Sequence, residues 1–179
     1  NVLKFIKIAN SDLGLGIGQR HITLSTCGLA DGIDRLREED LQITLAVSLH
    51  APNDEIRNKI MPVSKKYDMN RLLTACKNYS DYTKRRITFE YAMIKGVNDS
   101  RECALELAPK LKNMLCHVNL IPVNDVKERN FIKSSEAAIQ EFASVLNSKG
   151  IETTVRRKLG SDINAACGQL RRGYLNNRR

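Results

Sequence analysis

No stretch of the 179-residue sequence approaches the run of about 18 apolar residues that a membrane-spanning helix needs. No charged-then-apolar secretory pattern opens it either, and no membrane partner is expected. The five cysteines (Cys27, Cys76, Cys103, Cys116 and Cys167) are odd in number, with no CxxC or CxxxC spacing. That argues against a disulfide framework and against a local zinc or iron–sulfur site, and makes a reducing cytoplasm the expected compartment. No linker, low-complexity tract or internal repeat divides the chain, so one domain is expected. The alternating glycines of Leu13-Gly14-Leu15-Gly16-Ile17-Gly18 are not a dinucleotide fingerprint, since no strand precedes them and the spacing is wrong; they predict a turn. No glycine-rich loop leads into a helix, which disfavours a phosphate cradle.

What is present is an ordinary globular composition, 42% hydrophobic and 27% charged, with a formal net charge of +9. The surplus is uneven: residues 155–179 hold seven Lys/Arg against a single acid, Asp162. Such an excess suits a polyanionic partner, because neutralised phosphates release counterions; a solvated basic tail is the alternative. Strand-like runs at His21–Thr26, Gln42–Leu49, Arg86–Ile94, His117–Val123 and Ile151–Arg157 alternate with helical stretches. Helices are expected at Asn1–Asn10, Asp31–Asp40, from Asn53 to a stop at Pro62, Asn70–Thr83, from the Asn98-Asp99-Ser100 cap to about Asn113 with Pro109 kinking or interrupting it, and Ser135–Ser148. Five strands alternating with helices predict an α/β fold of parallel βαβ units. A closed (β/α) barrel needs about 250 residues, so the expectation is an open or partial barrel. With no initiator Met and an opening inside a helix, the chain is expected to be an excised piece.

In such sheets ligands bind beyond the C-terminal strand ends. Strand one delivers Ser25-Thr26-Cys27-Gly28, strand two Ser48-Leu49-His50, and strand four Pro122-Val123-Asn124. Strand five leads into Ser161–Leu170, where Cys167 sits between two alanines and a glycine. Basic neighbours Arg156, Arg157, Lys158, Arg171 and Arg172 would favour its thiolate; packing as a small hydrophobe is the alternative for a lone cysteine. Hydroxyl, imidazole, carboxamide and thiol groups at one mouth suit an amino-acid or nucleoside moiety. Cys27 is expected to pack, Cys76, Cys103 and Cys116 to be bystanders, and His21 and His117 to be structural residues opening strands.

Taken together, the stretches TLSTCG, AVSLHAPNDEIRNKIMP, NLIPVN and DINAACGQLR closely resemble the radical-SAM methyltransferases of the 23S rRNA adenine C2 type, which also methylate certain tRNAs. The likeness runs in family order from about Asn1 to Arg172. It implies that Ser25, Ser48, Leu49, His50 and Asn124 contact S-adenosylmethionine (SAM), and that Cys167 becomes S-methylated and carries the one-carbon unit. It further implies that a second SAM, cleaved at a reduced 4Fe-4S cluster, generates the radical that activates this methyl group for addition to adenine. A second cysteine then resolves the adduct through a disulfide. The cluster motif CxxxCxxC, the Gly-Glu-Pro stretch at the SAM amine, that second cysteine and the N-terminal RNA-binding domain have no equivalent in this sequence. Residues 1–179 are therefore expected to be the C-terminal portion of a radical-SAM catalytic domain, inactive alone and prone to self-association through an exposed barrel edge. Three alternatives remain open: an adenine C8 rRNA methyltransferase conferring antibiotic resistance, a non-enzymatic RNA-binding fragment, and a sugar-phosphate enzyme on a conventional barrel.

Overall fold

A computed structural model describes residues 1–123 and 131–156. The chain begins with α1 (Val2–Asn10), and the glycine-alternating segment after it forms the expected turn. A short 3-10 turn, Gln19–His21, then leads into β1 (Thr23–Thr26). His21 therefore sits in that turn and does not open the strand. There follow α2 (Ala30–Arg37), β2 (Thr44–Ser48), α3 (Asp54–Ile60), α4 (Met69–Thr83), β3 (Ile87–Met93), α5 (Arg101–Leu111), β4 (Cys116–Pro122), α6 (Glu136–Ser148) and β5 (Thr153–Val155).

Side chains cap the helices where the sequence predicts starts. Asn53 accepts from the Ile56 amide at 2.9 Å, Asp68 from Arg71 at 2.7 Å, Ser100 from Cys103 at 3.3 Å and Ser135 from Ala138 at 3.2 Å. Pro62 does end α3, which stops at Ile60, and it opens a 3-10 turn of its own. Pro109 does not interrupt α5, which runs through it to Leu111. Only Lys110 and Leu111 follow the proline in the helix, so the single amide hydrogen bond the ring removes lies in the last turn.

All five strands are parallel and ordered β1-β2-β3-β4-β5, each beside its neighbour in sequence. Consecutive order with no switch point is the singly wound arrangement of a (β/α) barrel, here in part. One sheet face is apolar and covered: Leu45, Val47, Ile87, Phe89, Tyr91, Met93, Val118 and Leu120 are buried in one continuous core with residues of α2, α4, α5 and α6. Each large side chain so placed contributes roughly 1.5–3 kcal/mol. Tyr91 packs its ring 5.0 Å from that of Phe142 on α6 and donates its hydroxyl to the Asn98 carbonyl at 2.8 Å.

The opposite face is polar. Along β3 it carries Thr88, Glu90 and Ala92, all half-buried, between the buried Ile87, Phe89, Tyr91 and Met93. Register places Ser48, Glu90, Asn119 and Thr154 in one row across four strands. Asn119 donates to the Glu90 carboxylate at 2.9 Å, and the Thr154 hydroxyl lies 2.9 Å from His117 Nε2. His117 is thus a structural residue of this face, within β4 and not at its first position.

Candidate S-adenosylmethionine site

Of the strand ends named from sequence, those of β1 and β2 lie side by side. Ser25 pairs with Ala46, so Ser25 on β1 and Ser48 on β2 share the polar face, one pleat apart. Ser25 is exposed and Ser48 half-buried. Leu49 points the other way and is fully buried; its side chain is core, and only its backbone is available at this end of β2. Its amide is already given to the Glu90 carbonyl at 3.0 Å.

His50 turns the chain out of β2. Its φ of 60° is left-handed, a conformation few non-glycine residues adopt. Two contacts hold it there. Its Nδ1 accepts from the Ala92 amide at 3.0 Å, and its carbonyl accepts from Asn98 Nδ2 at 2.7 Å. An Nδ1 that accepts requires the neutral ring to carry its hydrogen on Nε2. Burial, then the charge of Arg57, push the His50 pKa down to about 4, and the nearby Glu90 backbone carbonyl only partly opposes them. At neutral pH His50 is therefore a fixed hydrogen-bond donor and not a base.

Asn98 is the clamp behind this geometry. It is fully buried, accepts from the Ile94 amide at 2.7 Å, and donates to the carbonyls of both His50 and Ala92 at 2.7 Å. The sequence marks it only as part of a helix cap; the capping residue is Ser100. Arg57 is the second residue that pattern reading overlooks. Though charged, it is wholly buried, and its four hydrogen bonds among the described residues all go to backbone carbonyls. A lone arginine inside HAPNDEIR is the one sequence sign of it.

The cysteines divide by environment. Burial pushes the Cys76 thiol up to about 12 and Cys116 up to about 11, so both are inert bystanders, as expected. Cys27 departs from expectation. It is exposed at the end of β1 and does not pack, because its side chain alternates onto the face that none of the described helices covers. The described cysteines Cys27, Cys76, Cys103 and Cys116 are all free. Asn124 and Cys167 lie outside the described residues, as do Arg157, Lys158, Arg171 and Arg172.

Hydroxyls at Ser25 and Ser48 and an Nε2–H donor at His50 fit a nucleoside or amino-acid moiety such as those of SAM. Among the described residues no group of three or more His, Cys, Asp or Glu is placed to hold a metal ion, so the site does not fit a cluster. No helix among them is long and apolar enough to cross a membrane.

No protein-family model matches the chain. It is 59% identical over 175 residues to the probable dual-specificity RNA methyltransferase RlmN of Clostridium botulinum (strain Alaska E43 / Type E3), covering 98% of this chain and 50% of that protein. To the protein of the same description from Clostridium novyi (strain NT) it is 59% identical over 177 residues, 99% of this chain and 52% of the other. The chain thus spans about half the length of the curated relatives it matches. Among solved structures, that of a radical SAM methyltransferase from Sphaerobacter thermophilus matches with a TM-score of 0.89 and 46% identity, over 94% of this chain and 49% of that one. A domain of pyruvate-formate lyase-activating enzyme from Bacteroides vulgatus ATCC 8482 matches at a TM-score of 0.66 and 19% identity, over 87% of this chain and 91% of that one, a likeness of fold alone.

Proposed function

We propose that the chain belongs to the radical-SAM RNA methyltransferase family and is the SAM-holding, methyl-carrying half of an enzyme that methylates adenine C2 of 23S rRNA and of tRNA. Ser25, Ser48, His50, the backbone at Leu49 and Asn124 hold SAM. Cys167 accepts the methyl group. SAM supplies an activated methyl group and, with a 4Fe-4S cluster whose ligands lie elsewhere in the parent protein, radical chemistry. The basic excess of residues 155–179 serves the RNA phosphates.

His50 is the observation on which this assignment leans most. A left-handed backbone at a strand end is held by two hydrogen bonds, and its ring is kept neutral with Nε2–H unengaged among the described residues. Structure alone gains little from that strain, whereas a preorganised donor facing a ligand does. Ser25 and Ser48 contribute hydroxyls that donate or accept as the ligand requires. Adenine C2 is electrophilic, so SAM cannot methylate it by polar transfer; a nucleophilic thiolate can take the methyl group first.

The charge state of His50 gives the test. An ordinary histidine would gain its proton near pH 6.5, and with it lose the bond from the Ala92 amide, whereas here protonation waits until about pH 4. SAM affinity of the full-length parent, measured by equilibrium dialysis without reductant, should be flat from pH 8 down to roughly 5.5 and weaken only below that. In His50→Ala it should fall by about tenfold at every pH in that range, the loss of one hydrogen bond. A titration centred near pH 6.5, or unchanged affinity in the variant, would remove His50 from the site.

A further inference from the structure

We propose that Arg57 is a positioning residue for the SAM site, a buried fork that locks the C-terminal ends of β1 and β2 together beneath His50. This role presupposes the SAM site assigned above and goes beyond its contact residues.

Arg57 lies in α3, outside the polar sheet face, yet its guanidinium gathers four carbonyls from three backbone segments. Nη2 donates to the Cys27 carbonyl at 3.0 Å and to that of Ser48 at 3.5 Å; Nε donates to Leu49 at 3.3 Å and Nη1 to Tyr67 at 3.4 Å. Cys27 closes β1 two residues past Ser25. Ser48 is itself a site residue, and Leu49 immediately precedes His50. These are the carbonyls that the ends of parallel strands leave without a strand partner, and a planar group with five donors can serve several at once where lysine offers one point.

The surroundings are built to admit the fork. Gly28 has φ +104°, and a Cβ there would lie 2.7 Å from Arg57 Nη2 and 3.1 Å from Leu72 Cδ2. Side-chain space at that point is given up to the guanidinium. A fully buried cation without a carboxylate hydrogen bond is costly, and an apolar residue of similar volume would stabilise a core at least as well. Geometry at the strand ends is what the arginine provides and the apolar residue would not. Burial lowers the Arg57 pKa, while Asp54 on the same helix and the thiols of Cys27 and Cys76 oppose this. The group remains charged at neutral pH. That charge acts on His50 together with burial, with the Glu90 backbone carbonyl opposing.

The test uses the full-length parent carrying Arg57→Lys, Arg57→Gln or Gly28→Ala, the last displacing the guanidinium without removing its charge. SAM dissociation constants come from equilibrium dialysis without reductant. The KM for SAM and kcat come from RNA methylation, and the His50 titration from NMR of labelled histidine, assigned with His50→Gln. Arg57→Lys and Gly28→Ala should each weaken SAM binding by about tenfold, appearing in KM with kcat changed by less than about threefold. In Arg57→Gln the His50 titration should rise by roughly one pH unit. Should the Arg57 variants fail to fold, Gly28→Ala decides. Unchanged SAM affinity in the folded variants, or an unmoved His50 titration, would overturn the role. A wild-type parent that binds no SAM would instead overturn the site assignment, and the His50 titration, which needs no SAM, would still report on Arg57.

Discussion

Replacing Cys167 with Ala should reduce RNA methylation by the full-length parent at least about a thousandfold, the scale expected when a covalent route is removed. RNA affinity should stay within about twofold, because the proposed function gives the phosphate contacts to the basic residues and not to the thiol. The effect is large because alanine can neither accept nor hold a methyl group, and the buried thiols of Cys76 and Cys116 are poor substitutes. Cys76 and Cys116 are held protonated by burial, with pKa values near 12 and 11. Gel-based transfer of labelled methyl to RNA, with filter binding in parallel, reads both quantities. Retained methylation in Cys167→Ala would end its carrier role, and loss of RNA affinity in step with activity would favour the reading of a binding module.

Asn98→Ala should be among the most destabilising single changes of described residues outside the apolar core. The side chain is fully buried and satisfies one amide and two carbonyls, those of Ile94, His50 and Ala92. Truncation leaves all three without that partner, at roughly 1–3 kcal/mol for each group that water cannot reach. A loss of about 3–5 kcal/mol is expected, lowering Tm by roughly 10 °C. Asn98→Asp keeps the acceptor for the Ile94 amide but loses both donations and sets a carboxylate against two carbonyls, so it should be no milder. SAM affinity should weaken in parallel, since His50 is held in its left-handed turn partly through Asn98. Denaturation by urea checks the first outcome. A loss below about 1 kcal/mol would mean that water replaces the amide and that the clamp is not structural.

The fold was legible because a βαβ chain writes its period into the sequence. The run from Arg86 to Ile94 alternates Ile87, Phe89, Tyr91 and Met93 with Thr88, Glu90 and Ala92, and the strand is found with only its ends trimmed. That same alternation signals that one face of a parallel sheet lies bare of helices, since strands covered on both faces are apolar throughout. Strand ends proved less legible. His21 falls into a 3-10 turn, and Pro109 sits where α5 is already ending. Among the candidate site residues, Ser25, Ser48 and His50 could be placed at strand ends from the sequence pattern alone. Arg57 and Asn98 could not, because their partners are backbone groups on distant segments, and no side-chain pattern encodes a carbonyl. Leu49 was placed correctly at the strand end, although its side chain belongs to the core. The roles of Asn124 and Cys167 rest on motif likeness and on the chemistry of a thiol among small and basic neighbours.

The most direct measurement of the central claim uses the full-length parent with its 4Fe-4S cluster reconstituted anaerobically. It is incubated with methyl-labelled SAM and 23S rRNA, and both RNA and protein are digested for mass spectrometry. The proposed function predicts 2-methyladenosine in the RNA together with methyl mass on the peptide that carries Cys167. A product at C8 would contradict the C2 assignment while leaving the carrier in place. No RNA product and no methyl mass on that peptide would contradict the account as a whole.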